Sequence, residues 1–249
     1  VDEAVIVAAA DPDDVDGDGI SGTVNRVWNP ATGNEQLGRF GWKANTATLD
    51  IQIAAAAHGD MGITSSLFST DNCTAVQTAC LAVAGNAAPE IDDQSLHMLA
   101  IYARSLSVPA RRDPNNPKAQ RGQALFESVG CAACHTPTLT TGQNTILPEL
   151  AGQTIHPYTD LLLHDMGDGL ADGRPDFLAS GQEWRTSPLW GIGLVQRVNL
   201  HRRFLHDGRA EGLMEAVLWH GGEAQVARDT VIAMPKADRD ALLVFLRSL

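Results

Sequence analysis

The chain has 249 residues and a mass of 26.5 kDa, room for one large domain or two ordinary ones. Hydrophobic residues make up 44% of it, enough for a buried core, which excludes a disordered chain. Lys and Arg number 18 against 30 Asp and Glu, and a net charge of −12 excludes any general affinity for nucleic-acid phosphates or anionic lipid. No stretch approaches eighteen consecutive apolar residues, so no membrane span is expected. The chain starts at Val1 without Met or a signal peptide, as expected of a mature product or a piece of a longer polypeptide.

An acidic run comes first. Asp14, Asp16 and Asp18 alternate with other residues, and Gly17 and Gly19 follow closely. This is the opening of a calcium loop, where hard carboxylate oxygens converge and glycine permits the turn. The bidentate Glu expected at the twelfth position is replaced by Asn25, and a solvated acidic loop is the competing reading. Polar loops with Gly33, Gly38 and Gly41 precede an alanine-rich helix expected over about Thr48 to His58, ended by Gly59 and Gly62. Asp92 or Asp93 caps a helix through Leu106, with Leu96, Leu99, Tyr102, Ala103 and Leu106 at helical spacing.

Three prolines between Val108 and Pro117 read as a linker, so a domain boundary is expected after residue 112. Residues 1–110 carry 4 basic and 14 acidic side chains, whereas 111–249 carry 14 and 16. Lys118 to Val129 forms a helix with Ala119, Gly122, Leu125, Phe126 and Val129 on one face. A short helix is expected near Leu213 to Trp219 and a closing helix over Lys236 to Leu249. Period-two alternation is not sustained anywhere, so the fold class is mainly α, with long loops and little sheet. The run from Leu99 to Leu106 matches that from Leu242 to Leu249 at four of eight positions, which suggests two copies of one domain type.

The strongest motif is Cys131-Ala132-Ala133-Cys134-His135. C-x-x-C-H is the attachment signature of c-type haem: two thiols form thioethers and the adjacent imidazole reaches the iron. A thioredoxin-like pair needs a βαβ setting, which is absent. A zinc site needs a second ligand pair, and no C-x-x-C or H-x-x-x-H follows. One covalent haem c is therefore expected. Its assembly on the oxidising side of a bacterial inner membrane makes Cys73 and Cys80 a short-loop disulfide rather than free thiols. The expected location is the periplasm, or otherwise outside the cytoplasm. The opposite axial ligand lies among His156, His164, His201, His206, His220, Met166, Met214 and Met234, and composition does not choose among them.

The runs Trp184 to Gly191, Phe204 to Ala210 and Leu213 to Ala224 resemble the C-terminal half of the bacterial di-haem cytochrome c peroxidases, closest to the di-haem or thiol oxidoreductase branch. With Cys131 to His135 and the closing helix, the resemblance covers most of 113–249. It implies a cytochrome c-like haem domain there, and His220, before Gly221, as the second axial ligand. Typical peroxidases have Met at that place, and a bis-His iron is low-spin and of lower potential. Gly38 to Ala44 and Gly59 to Thr64 resemble the region over the first haem, whose C-x-x-C-H is absent. Residues 1–112 are accordingly expected to be a partial N-terminal domain lacking its haem motif. The resemblance makes Asp60 the nearest match to the acid that handles protons at a peroxide-binding haem. Trp42 is a candidate relay, with packing as the plainer role.

Two functions follow. One is an electron-transfer haem module of a periplasmic di-haem peroxidase-like enzyme, with a second haem domain or small redox protein as partner. The other is a mono-haem electron carrier without catalytic activity of its own. A regulatory or docking haem domain is a third.

Overall fold

The computed structural model describes residues 1–83, 85, 88–143 and 146–249. Among them the helices are α1 (Glu3–Ala8), α2 (Leu49–Met61), α3 (Thr78–Leu81), α4 (Asp93–Ser105), α5 (Pro117–Ser128), α6 (Cys131–Cys134), α7 (Val195–Asn199), α8 (Leu213–Trp219), α9 (Gln225–Ala233) and α10 (Lys236–Ser248). The strands are β1 (Arg26–Asn29), β2 (Asn34–Leu37), β3 (Leu139–Thr140), β4 (Thr154–Ile155), β5 (Leu163–Asp165) and β6 (Glu183–Arg185). They form three separate two-stranded antiparallel sheets, so the chain is mainly helical, as its patterning predicts.

The chain divides into two compact units. The first holds residues 1–25, 42–44 and 107–249; the second holds 26–41 and 45–106. The sequence places a boundary after residue 112, whereas in the structure 107–112 and two N-terminal stretches belong to the first unit. The reason is hydrogen bonding. Arg112 donates its amide to Ser248 O at 2.8 Å and its guanidinium to Arg247 O at 2.6 Å. Thr23 exchanges two 2.8 Å backbone bonds with Leu163, and the Asn25 side chain donates to Lys43 O and Asp176 O.

In the first unit α5 packs on α10. Asn116 caps α5 by accepting from the Lys118 and Ala119 amides, and Pro117 sits in the first turn where its missing N–H costs nothing. Gly122 makes the helices' close approach practicable, because a Cβ there would lie 2.0 Å from Ala241 O. Phe126, Tyr158, Leu189, Val231, Leu242, Phe245, Leu246 and Leu249 form the core around this crossing. Phe126, Tyr158 and Phe245 meet edge to face with centroids 5.3–5.9 Å apart.

The second unit starts with the β1–β2 hairpin, registered from Arg26↔Leu37 to Asn29↔Asn34. Helix α2 is capped by Thr48 Oγ1, which accepts from the Ile51 amide. It runs through Gly59 and ends only at Gly62, whose left-handed φ of 71° closes the last turn. Cys73 and Cys80 are disulfide-bonded, with Cα atoms 5.8 Å apart. Asp92 caps α4 by accepting from the Ser95 amide at 2.6 Å. Helix α4 packs on α2 and buries Leu96 and Ala100. Leu99 and Tyr102 of α4 and the following Leu106 are exposed, although their sequence counterparts, Leu242 and Phe245 of α10 and the terminal Leu249, are all buried.

Candidate metal centre

Helix α5 delivers the Cys pair. Gly130 takes a left-handed φ of 91°, which turns the chain sharply from α5 into the single turn of α6. Cys131 and Cys134 are the first and last residues of that turn, so their side chains share one face. Both are free, half-buried thiols, and burial pushes the Cys131 thiol up to about 11. The segment after them is held by Tyr158 to Asp160. The Thr159 amide donates to Thr136 O and the Asp160 amide to Cys134 O, at 3.1 and 3.0 Å.

His135 and His220 face each other across this site, with ring centroids 6.4 Å apart. Their Nδ1 atoms are both engaged by backbone: His135 donates to Tyr158 O at 3.0 Å and His220 to Ala216 O at 2.7 Å. These bonds assign the tautomer and leave Nε2 of each ring as the free lone pair. Burial pushes the His135 imidazole down to about 4 and lowers that of His220 too, so both are neutral, the form a metal requires. A metal bound to two imidazole nitrogens at about 2 Å each, with about 1 Å more from nitrogen to ring centre, spans about 6 Å between centroids. The observed separation fits that span. The donor set of two thiols, one contiguous His and one facing His fits a covalently attached haem with two protein axial ligands.

The other candidate ligands make contacts of their own, and Met166 is half-buried with its amide on Gln182 O at 3.1 Å. His156 bonds Thr138 Oγ1 at 3.0 Å, His201 accepts from the Arg203 amide, and His206 stacks on Trp184 at 3.6 Å. Met214 and Met234 pack against the same core cluster as Cys131 and Ala132. His164 is only 3% exposed, and its two ring nitrogens reach Asp160 and Glu223 at 2.8 and 2.7 Å. Cys134 Sγ, an Asp160 oxygen and a His164 nitrogen lie within 4.8 Å of one another, the spacing of a metal-ligand set. With both His164 nitrogens taken by carboxylates, this group reads as a hydrogen-bonded network instead. Burial alone would push His164 down, but its hydrogen bonds to Asp160, Cys134 and Glu223 outweigh it and raise the pKa to about 12. The same logic inverts for Glu223: burial would raise it, and its bonds to His164, Ser21 and Asp165 hold it down to about 2.

In the acidic loop the structure gathers Asp11, Asp14 and Asp16, with ligand oxygens within 4.8 Å, and these three could hold a cation. Asp18 is not in that group; its Oδ1 accepts from the Ile20 amide at 2.8 Å. Asp60 stands exposed in the last turn of α2, in the second unit, whereas Cys131, Cys134, His135 and His220 lie in the first. Trp42 is half exposed, and its carbonyl accepts from the Arg185 amide at 2.8 Å.

The whole chain, residues 1–249, matches the family model described as "Di-haem oxidoreductase, putative peroxidase". The chain belongs to the di-haem oxidoreductase family. No curated protein matches it. Membership supports haem as the cofactor and oxidoreduction as the role, in agreement with the resemblance read from Trp184 to Ala224. No helix among the described residues of this di-haem oxidoreductase is long and apolar enough to cross a membrane. The sequence singles out Cys131, Cys134, His135 and His220, and the structure sets the rings of the two histidines 6.4 Å apart; the sequence weighs His164 only as an iron ligand and gives Asp160 and Glu223 no part. Glu223 lies in the resembling run Leu213 to Ala224, three residues after His220, but nothing in the sequence pairs it with His164.

Proposed function

We propose that this chain is the electron-transfer haem module of an exported, peroxidase-like di-haem oxidoreductase. One observation carries the reading: two neutral imidazoles, His135 and His220, face each other at 6.4 Å with both Nε2 atoms free, beside the paired thiols Cys131 and Cys134. A bound c-type haem supplies one-electron exchange. Cys131 and Cys134 would hold the haem through their thiols, and His135 and His220 would supply the nitrogens that bind its iron.

The chain's own residues do the rest. The carbonyls of Tyr158 and Ala216 fix the ring orientations. Phe126, 3% exposed, packs its ring 6.1 Å from that of His135 and keeps water from that side. With both imidazoles on it, the iron would be closed to small substrates, which favours transfer over catalysis here. Peroxide chemistry then belongs to a second haem domain, and Asp60 is the acid proposed to serve it. Export is supported by the Cys73–Cys80 disulfide, a bond that persists in oxidising compartments. The same closed centre also suits a mono-haem electron carrier, and peroxide turnover separates the two.

The test is the optical spectrum of the purified chain, oxidised and dithionite-reduced, with haem quantified per chain. One covalent haem with a low-spin spectrum is expected. Cys131→Ala with Cys134→Ala should abolish covalent attachment, and His220→Ala should convert the ferric spectrum to high spin. A high-spin wild type that binds cyanide readily would sink the His220 assignment and move catalysis to this centre.

A further inference from the structure

Glu223 takes no part in the electron transfer proposed above, yet every lone pair of its carboxylate is used. Oε1 accepts from the Ser21 hydroxyl at 2.7 Å and the Asp165 amide at 3.0 Å. Oε2 accepts from the Ser21 amide at 3.1 Å and from His164 Nδ1–H at 2.7 Å. His164 donates its other N–H to Asp160 Oδ2 at 2.8 Å, and Asp160 Oδ1 accepts from the Leu162 amide at 2.9 Å. The Asp160 amide in turn donates to the carbonyl of Cys134. Hydrogen bonds therefore run without a break from the backbone of the Cys motif to the turn that follows His220.

That turn has little else to hold it. It passes through Gly221 and Gly222, the latter at a left-handed φ of 52°, and two adjacent glycines carry the largest conformational entropy to lose. It lies flush on the strand before it. A Cβ on Gly222 would sit 2.1 Å from Asp165 O, and one on Gly221 would sit 2.9 Å from Met166 O. Backbone against backbone leaves Glu223 as the side chain that ties this turn down. A buried, paired charge is costly to assemble and is best attested as a device that selects one arrangement.

We infer that Asp160, His164 and Glu223 form a positioning clamp, which fixes the turn from Gly221 to Ala224 on segment 160–167 and keeps His220 opposite His135. The inference rests on the axial-pair reading of the preceding section. It makes all three positioning residues, each acting through His220. The imidazolium state of His164 lets it donate to both carboxylates at once, as the two short contacts require.

The experiment uses the full haem-loaded chain, with cyanide as the probe of an open iron. Glu223→Gln and His164→Gln should retain wild-type haem content. Each should gain a high-spin ferric component and bind cyanide about tenfold more tightly, since losing a charge-assisted hydrogen bond weakens the closed state by about that factor. Hydrogen exchange at the amides of 221–225 should quicken in both. His220→Ala is the reference for full opening. If His220→Ala leaves the spectrum low-spin, the axial-pair reading fails. If it opens the iron while both clamp variants keep wild-type spin state, cyanide affinity and exchange, only the clamp is overturned. A lower Tm with unchanged spin state and affinity overturns it too, by reducing the network to a structural one. Should either variant fail to fold, Ser21→Ala removes a single donor to Glu223, and a cyanide affinity raised about threefold is then expected; an unchanged affinity refutes the clamp.

Discussion

Replacing Gly122 by Ala sets helix propensity against packing at the α5–α10 crossing. Ala is favoured over Gly in a helix interior by about 1 kcal/mol. Against this, the added Cβ would stand 2.0 Å from Ala241 O, 2.6 Å from its carbonyl carbon and 2.8 Å from Phe245 Cβ. Ordinary contact begins near 3.4 Å, so α10 must retreat by about 1.4 Å. A gap of even 0.5–1 Å forfeits roughly a quarter to a half of each dispersion contact, and overpacking costs about 1–3 kcal/mol. Leu242, Phe245 and Leu246 all stand at this interface, so the upper end applies and the net effect is about 2 kcal/mol of destabilisation. Thermal unfolding followed by circular dichroism should show Tm about 4–8 °C lower. Gly59→Ala is the paired control: that glycine is inside α2 with nothing within 4 Å of an added Cβ, so stability should rise by about 1 kcal/mol. If Gly122→Ala stabilises as Gly59→Ala does, the close helix crossing is wrong.

Three further predictions concern charge and covalent bonds. His164, raised to about 12, contributes stability that is full below its ordinary value near 6.5 and lost as pH rises toward 12. The stability gap between wild type and His164→Gln, read from urea titrations, should therefore be constant from about pH 5 to 6.5 and shrink above; a gap that widens with pH contradicts the imidazolium assignment. Glu223, held down to about 2, works in the opposite sense, and its contribution should fade as pH falls below about 4.5. Reducing Cys73–Cys80 reopens a loop with a sequence separation of 7, for which chain entropy gives about 2–3 kcal/mol. Dithiothreitol should lower Tm of a Cys131→Ala, Cys134→Ala chain accordingly, and an unchanged Tm would refute that magnitude.

Three helices are legible from the chemistry of their ends. Thr48, Asp92 and Asn116 each place an oxygen on free amides, so α2, α4 and α5 begin where short polar side chains stand. Helix α8 has the expected limits, Leu213 and Trp219. Gly59 misled because it resembles a terminator, yet a glycine at negative φ simply continues a helix, and the left-handed Gly62 ends it. Helices α1 and α9 and the β1–β2 hairpin went unread: six residues and four-residue strands are too short to show a period, and no side-chain cap marks the start of α9. In the site, Cys131, Cys134 and His135 fall within five residues and are therefore visible. His220 emerged through resemblance, and the geometry sets its ring opposite His135. Asp160, His164 and Glu223 span more than sixty residues, and only folding brings a carboxylate to each side of one imidazole. Apolar spacing also overstated burial: Leu99, Tyr102 and Leu106 keep a helical period while facing solvent.

The two facing imidazoles are aimed by carbonyls, those of Tyr158 and Ala216. A carbonyl belongs to every residue type, so no point substitution at 158 or 216 deletes the acceptor itself. The aim of the rings is thereby insulated from side-chain change at the very positions that set it. An engineer can exchange Ala216 for another helix former to tune the polarity around the centre, and the direction in which His220 points is inherited from the helix rather than from the letter at that site.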